Sequence, residues 1–267
     1  MRRDPVSGRL VAVAQGRARR PGATRPPGDE LEACPFCAGR EDRTPPETLR
    51  LGDPWRVRVV PNLYPALERQ EVVVHSPEHL RSIAELPDDQ LQLVAEAWQV
   101  RAAAARSEGF PYVHALVNEG REAGGSLPHT HSQLVWLREV PPVPAGESGL
   151  SHLLEGERVL ERDGLVLHCP DASRLPYEMV VAPAEPERDA FESDRLGPAL
   201  TLAAEGVRRL RTLEPEAPLN LWLHDVEWWH IELLPRLTVL AGLELGAGIY
   251  VNTLAPEKAG ARLRSAS

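Results

Sequence analysis

Hydrophobic and polar positions along this chain fall into a pattern that occurs twice. Apolar runs with strand spacing lie at Trp55–Pro61 (WRVRVVP) and Glu71–His75 (EVVVH). Pro87-Asp88-Asp89 then opens a stretch in which Leu91, Leu93, Val94, Ala97, Trp98 and Val100 recur at helical spacing. Two more strand runs, Tyr112–Asn118 and His129–Leu137, flank a glycine-rich turn. A proline-rich linker follows, REVPPVPAGESG at residues 138–149, and then the order returns. Gly164–Cys169 and Glu178–Pro183 read as strands, Leu196–Leu213 as an amphipathic helix, and Leu219–His224 and Trp228–Leu234 as a closing strand pair. Each β-β-α-β-β unit carries a histidine near the start of its last strand. The pattern predicts an α+β protein of duplicated halves, residues 1–145 and 146–267, each an antiparallel sheet with its helix on one face. Residues 16–33, rich in Gly, Pro and Arg, read as an extended arm, and the chain from Ala241 onward reads as a tail belonging to neither half.

Composition narrows the function. A net charge of −9 argues against sequence-independent nucleic-acid binding, which needs a broad basic surface. No apolar run has the length of a membrane span, and MRRDPVSGRL lacks the apolar core of a signal peptide, so a cytoplasmic protein is expected. Lys258 is the sole lysine, in a polar segment with no glycine-rich loop before it. A P-loop or Schiff-base lysine is thereby disfavoured, and any phosphate must be held by arginine, backbone amides, metal or histidine. The 26 prolines and few Asn, Met and Cys residues fit either a thermostable protein or a GC-rich genome.

Two motifs carry chemistry. Cys34-Pro-Phe-Cys37 puts two thiols on one turn, as a metal site, a redox pair or a buried thiol pair would. A redox pair belongs at the start of a helix in a βαβ unit, which the flanking residues do not suggest, so a metal is favoured, provided that histidines complete it. The second motif is Ser126-Leu-Pro-His-Thr-His-Ser-Gln133 after Asn118-Glu-Gly-Arg-Glu-Ala-Gly-Gly125. On a strand, His129, His131 and Gln133 share one face. A row of polar side chains there contributes little to packing, whereas a neutral imidazole facing a cleft is a good nucleophile toward phosphorus. The glycine-rich turn offers backbone N–H groups to phosphate oxygens. The bland alternative is a solvated strand face.

Taken together, these segments resemble the galactose-1-phosphate uridylyltransferase family of the histidine-triad superfamily. Val60-Pro-Asn-Leu-Tyr-Pro-Ala-Leu67, Ser76-Pro-Glu-His79, Trp229-His-Ile-Glu-Leu-Leu-Pro-Arg236 and Ala241-Gly-Leu-Glu-Leu-Gly-Ala-Gly248 carry the resemblance with the two motifs above. The resemblance implies a ping-pong transfer of a nucleoside monophosphate, UMP first, between a nucleotide sugar and a hexose 1-phosphate. His131 would be the nucleophile and Gln133 the hydrogen-bond donor to the phosphoryl oxygens. It implies one structural Zn2+ on Cys34, Cys37, His79 and His129. Nucleotide contacts map to Asn62, Asn118, Gly124 and Ser126. Arg17, Arg20 and Glu244 map to residues that reach the neighbouring subunit's site, so a homodimer with shared active sites is expected. Three positions of a second metal site map to His224, His230 and Glu232, but the helix with the usual glutamate ligand is shortened, and the expectation is against a second metal. Thr130 replaces a proline common in relatives, with little consequence expected because its side chain should point away from the cleft. Thr238 in place of a lysine of the hexose-binding tail and Leu243 in place of an aromatic residue, by contrast, put galactose in doubt. Two alternatives stay open: an adenine-nucleotide phosphorylase or adenylyltransferase of the same superfamily, and a non-catalytic, zinc-structured nucleotide-binding protein.

Overall fold

The computed structural model describes residues 1–14, 34–147 and 149–266. The arm positions Arg17 and Arg20 lie outside them. In the first half the strands are β1 (Leu49–Leu51), β2 (Val57–Pro61), β3 (Arg69–Val74), β4 (Tyr112–Glu119) and β5 (His131–Leu137), with helix α1 (Asp88–Ser107) between β3 and β4. The second half repeats this order as β6 (Gly156–Arg162), β7 (Leu165–Pro170), β8 (Met179–Pro183), α2 (Leu196–Leu213), β9 (Leu219–His224) and β10 (His230–Pro235). A C-terminal helix, α3 (Pro256–Ser265), follows a short helix at Gly242–Ala247.

The duplicated α+β architecture is as expected, with one difference. The halves do not keep separate sheets. These ten strands form one antiparallel sheet in the order β1-β2-β3-β5-β4-β9-β10-β8-β7-β6, a palindrome about the β4–β9 seam, while Arg2–Arg3 and Leu10–Val11 pair apart from it. There Leu219 pairs with Glu119, Asn220 with Asn118, Leu221 with Val117 and Trp222 with Leu116. Joining two edge strands satisfies backbone groups that would otherwise be exposed, which local patterning cannot reveal. Of the edge strands, β1 has three residues, too few to show a pattern, and β6 is mostly polar and largely exposed, so no apolar run marks either in the sequence.

Helices α1 and α2 cover one face. Two aspartates in the first turn of α1 complement the helix dipole, and Pro87 precedes it where no N–H is needed. Gly109, at φ +82°, ends the helix in the left-handed conformation, with Phe110 N–H returning to Ala105 O at 2.9 Å. The inward residues of α1 and α2, Leu91, Val94, Trp98, Ala203 and Val207 among them, are buried against alternate strand residues such as Val59, Ala115, Leu134, Leu221 and Leu233. Trp98 is fully buried, and its Nε1 donates to Ser132 Oγ at 2.8 Å. This bond fixes Ser132 toward the helix layer. Its neighbours His131 and Gln133 must therefore face the other side of the sheet. Trp98→Ala should cost about 3–5 kcal/mol through the cavity it leaves, and a denaturant titration measures that directly.

On the helix-free face a second, smaller core of Cys34, Phe36, Cys37, Trp55, Val60, Val72 and Val74 seats the cysteine-bearing loop on β2 and β3. The site is built between this loop and the seam.

Candidate active site and metal cluster

Cys34, Cys37, His79 and His129 converge, with one ligand atom from each lying within 4.8 Å of all the others. Cys34 Sγ is 3.5 Å and Cys37 Sγ 3.7 Å from His129 Nδ1, and Cys37 Sγ is 3.3 Å from His79 Nδ1. Ligands at zinc-like bond lengths on a tetrahedron would have sulfur and nitrogen about 3.6 Å apart, so the spacing suits one ion. Donor chemistry agrees. Burial, followed by the neighbouring Cys37, pushes the Cys34 thiol up to about 11, so a thiolate here needs a cation beside it. Burial lowers His129 to about 4, leaving a neutral ring whose Nδ1 can ligate. His129 Nε2 donates to Ser76 O at 2.9 Å, the outer hydrogen bond that fixes a ligating tautomer. Arg40 braces the loop by donating to Cys34 O at 3.1 Å.

The strand begins at His131, so His129 lies just before it rather than on it. The strand thus starts two residues later than expected, but His129 and His131 still face the same, helix-free side of the sheet, His129 meeting the cysteines of the loop seated there. Phe36 stands against both histidine rings, at 5.9 and 5.3 Å between centroids. Between them, Thr130 Oγ1 lies 3.0 Å from Nδ1 of buried His75, a contact that proline would lack.

His131 Nδ1 lies 2.7 Å from His129 O. A carbonyl only accepts, so Nδ1 carries the proton and the lone pair sits on Nε2. Gln133 is buried on the same face, its Oε1 accepting from Gln70 Nε2 at 2.6 Å and Asn62 Nδ2 at 3.4 Å. Across the seam Asn220 Nδ2 donates to Asn118 Oδ1 at 2.7 Å, and register sets Asn118 beside His131. Asn62, Asn118, His131 and Gln133 are thereby brought together.

The glycine-rich turn differs from expectation. Gly124 N–H donates to Arg121 O and Gly125 N–H to Gly120 O, both at 2.9 Å, so these groups close the turn instead of facing a phosphate. Gly125 is required for packing: a Cβ there would lie 2.8 Å from Asn118 O. Ser126 is exposed, and Glu244 sits on the exposed Gly242–Ala247 helix, where its carboxylate accepts Ala241 N–H at 2.9 Å.

In the second half, His230 opens β10 as His131 opens β5, and its Nδ1 lies 3.0 Å from Trp228 O. Glu232 stands where Gln133 stands in the first half. A carboxylate in that place repels phosphoryl oxygens, so the duplicated sites have opposite electrostatic character. Glu147, from the segment expected to be linker, joins His224, His230 and Glu232 in a four-residue cluster. The donor missing from the sequence pattern is therefore present. Spacing is uneven, however: His224 Nδ1 is 2.6 Å from Glu147 Oε1 and 3.3 Å from Glu232 Oε1, and His230 Nε2 is 3.8 and 3.7 Å from the same oxygens. Arg174 also pairs with Glu232 and Glu178. Burial would raise the Glu232 carboxyl, but His230, Arg174 and His224 hold it near 2. A cleft of about 450 Å³ lined by Arg106, Tyr112, Arg188 and Asp225 lies beyond this end of the seam, with Arg106 already paired to Glu192 and Asp225. It contains none of the residues expected to act on substrate.

Two fused halves, with an oriented histidine and amide donors on the open face of one of them, define a nucleotidyltransferase-like protein. Residues 65–142 match the family model for the N-terminal domain of galactose-1-phosphate uridyl transferase. Over that segment the chain is similar to the galactose-1-phosphate uridylyltransferase family. It is 26% identical to the ADP-glucose phosphorylase of Arabidopsis thaliana, over 100% of this chain and 93% of that one. It is 32% identical to a galactose-1-phosphate uridylyltransferase of Streptomyces lividans, over 68% and 56%. The crystal structure of the Arabidopsis ADP-glucose phosphorylase with bound ADP-glucose superposes with a TM-score of 0.79 at 25% identity, covering 100% of this chain and 98% of that one. A uridylyltransferase structure at 22% identity shares the fold, with a TM-score of 0.81 and coverage of 99% and 97%. Among the described residues no helix is long and apolar enough to cross a membrane.

Proposed function

We propose that this protein transfers a nucleoside monophosphate from a nucleotide sugar to a phosphate-bearing acceptor through a covalent intermediate on His131. The observation that carries the reading is the His131 Nδ1 bond to His129 O, which commits the Nε2 lone pair to attack. Nε2 forms a bond to the α-phosphorus as the bond to the sugar-phosphate oxygen breaks, and the sugar 1-phosphate leaves. An acceptor phosphate oxygen then attacks the same phosphorus, breaking the P–N bond and restoring the imidazole. Throughout, the His129 carbonyl stabilises the positive charge that develops on the ring. Gln133 and Asn118 supply N–H donors to the phosphoryl oxygens, where one such donor is worth about 2–4 kcal/mol in the transition state. Cys34, Cys37, His79 and His129 would hold a structural zinc, which would tie the cysteine loop to His129, whose carbonyl holds the nucleophile's proton.

Two readings of substrate follow. Exchange between UDP-sugar and hexose 1-phosphate is supported by the family, and phosphorolysis of an ADP-sugar by the end-to-end similarity to an ADP-glucose phosphorylase. Turnover of UDP-glucose and ADP-glucose, each with inorganic phosphate and with hexose 1-phosphates, separates them. Activity confined to one nucleotide would retire the other reading, and turnover of neither would retire both.

Val239, Leu245, Ile249 and Val251 expose apolar side chains around Glu244. A homodimer that buries this tail accounts for the exposure and would bring Glu244 to a neighbouring site. Leu245→Asp should weaken association roughly tenfold or more and lower turnover with it, as sedimentation at graded concentrations would show. Full activity in a monomer would refute shared sites.

A further inference from the structure

Each side-chain amide at the site has two ends, an acceptor and a donor, and the backbone decides which end meets substrate. Ala66 N–H donates to Gln70 at 2.7 Å, so the Gln70 atom there is its oxygen. Its nitrogen therefore points at Gln133, 2.6 Å away, and occupies Gln133 Oε1. Asn62 adds a second donor to that oxygen: its own Oδ1 is held by Tyr64 N–H at 2.9 Å, which turns its NH2 inward. The same logic runs across the seam. Arg236 Nη1 can only donate, and it meets Asn220 Oδ1 at 3.2 Å. Asn220 then gives its NH2 to Asn118 Oδ1 at 2.7 Å and to Ala123 O at 2.8 Å, and the latter partner can only accept.

We propose that Gln70 in one half, and Asn220 with Arg236 in the other, are positioning residues that fix the amides of Gln133 and Asn118 with their NH2 ends toward the cleft. The inference rests on the reading of the cleft as a nucleotidyl site. Both relays begin at groups that cannot reverse, an amide N–H and a guanidinium, so neither terminal amide can flip without leaving two donors or two acceptors face to face. Each link also polarises the next, which strengthens the final N–H as a donor to an anion. The cleft is thus preset for phosphoryl oxygens, and the second half contributes to the chemistry of the first by orienting Asn118.

Gln70→Glu reverses one relay, because a carboxylate accepts from both Ala66 N–H and Gln133, turning the Gln133 carbonyl toward substrate. Two quantities are measured: the rate of nucleotidyl labelling of the protein by ADP-glucose and UDP-glucose, and the affinity for AMP and UMP. Gln70→Glu should slow labelling about a hundredfold and weaken monophosphate binding in the otherwise wild-type protein. Against a Gln133→Ala background it should change either quantity less than about threefold, since there is no amide left to reverse. Equal losses in both backgrounds would mean that Gln70 is merely structural and would overturn the proposal, as would no loss in the wild-type background. If Gln70→Glu fails to fold, Gln70→Leu is measured in its place, with a smaller loss and the same dependence on background. Labelling of the wild-type protein with equal losses removes the relay and leaves the covalent reading standing. A background-dependent pattern in monophosphate binding without any labelling does the reverse.

Discussion

His131→Gly should leave no nucleotidyl group on the protein when it is incubated with a radiolabelled nucleotide sugar and no acceptor, whereas the wild-type chain should hold label that is acid-labile and alkali-stable. That stability pattern is expected of a P–N bond. Turnover should fall by several orders of magnitude, because the alternative, direct attack by the acceptor, forgoes nucleophilic catalysis altogether. Fold should be retained: His131 donates to a backbone carbonyl and ligates nothing in the cysteine–histidine cluster. His129→Gly, two residues earlier, should instead disturb metal binding and melting temperature. Gln133→Ala should still take label but at a rate lowered by about 2–4 kcal/mol, the loss of one charge-directed donor. Undiminished labelling of His131→Gly would remove the nucleophile, and with it the proposed reaction.

The second large effect concerns the metal. Purified protein should contain about one zinc per chain, held by Cys34, Cys37, His79 and His129. A value near two would place an ion in the Glu147–His224–His230–Glu232 cluster as well, and active protein without zinc would refute the assignment. Cys34→Ser should lower the melting temperature by several degrees, because the binding free energy of a structural metal is folding free energy. The reason is structural. The cysteine loop carries little apolar surface of its own beyond Phe36, and its small core depends on the cross-link to stay seated on β2 and β3. The loss in melting temperature should exceed the loss in labelling rate measured below the transition, since no proposed step passes through the ion.

Much of the fold is legible in the amino-acid sequence. Helix α2 and strand β9 begin and end at the residues predicted, because Leu196–Leu213 and Leu219–His224 carry strong, uninterrupted periodicity. The four residues of the cysteine–histidine cluster were also legible, two from spacing and two from resemblance. The edge strands Leu49–Leu51 and Gly156–Arg162 were not, since three residues are too few to show alternation and a mostly polar, exposed strand leaves no apolar run. Glu147 falls in a proline-rich stretch with the pattern of a linker, because nothing local distinguishes a glutamate that packs beside two distant histidines from one in solvent.

Local pattern determined the duplicated β-β-α-β-β order and the helix faces, because periodicity is a property of neighbouring positions. Tertiary structure alone decided three things. It fused the two sheets at β4–β9, since edge pairing depends on which backbone groups meet in space. It brought Glu147 beside His224, His230 and Glu232, since side chains that meet in space need not be near in sequence. It also set the direction of the amides, since an amide's donor end is chosen by partners 63 and 102 residues away, Gln70 for Gln133 and Asn220 for Asn118.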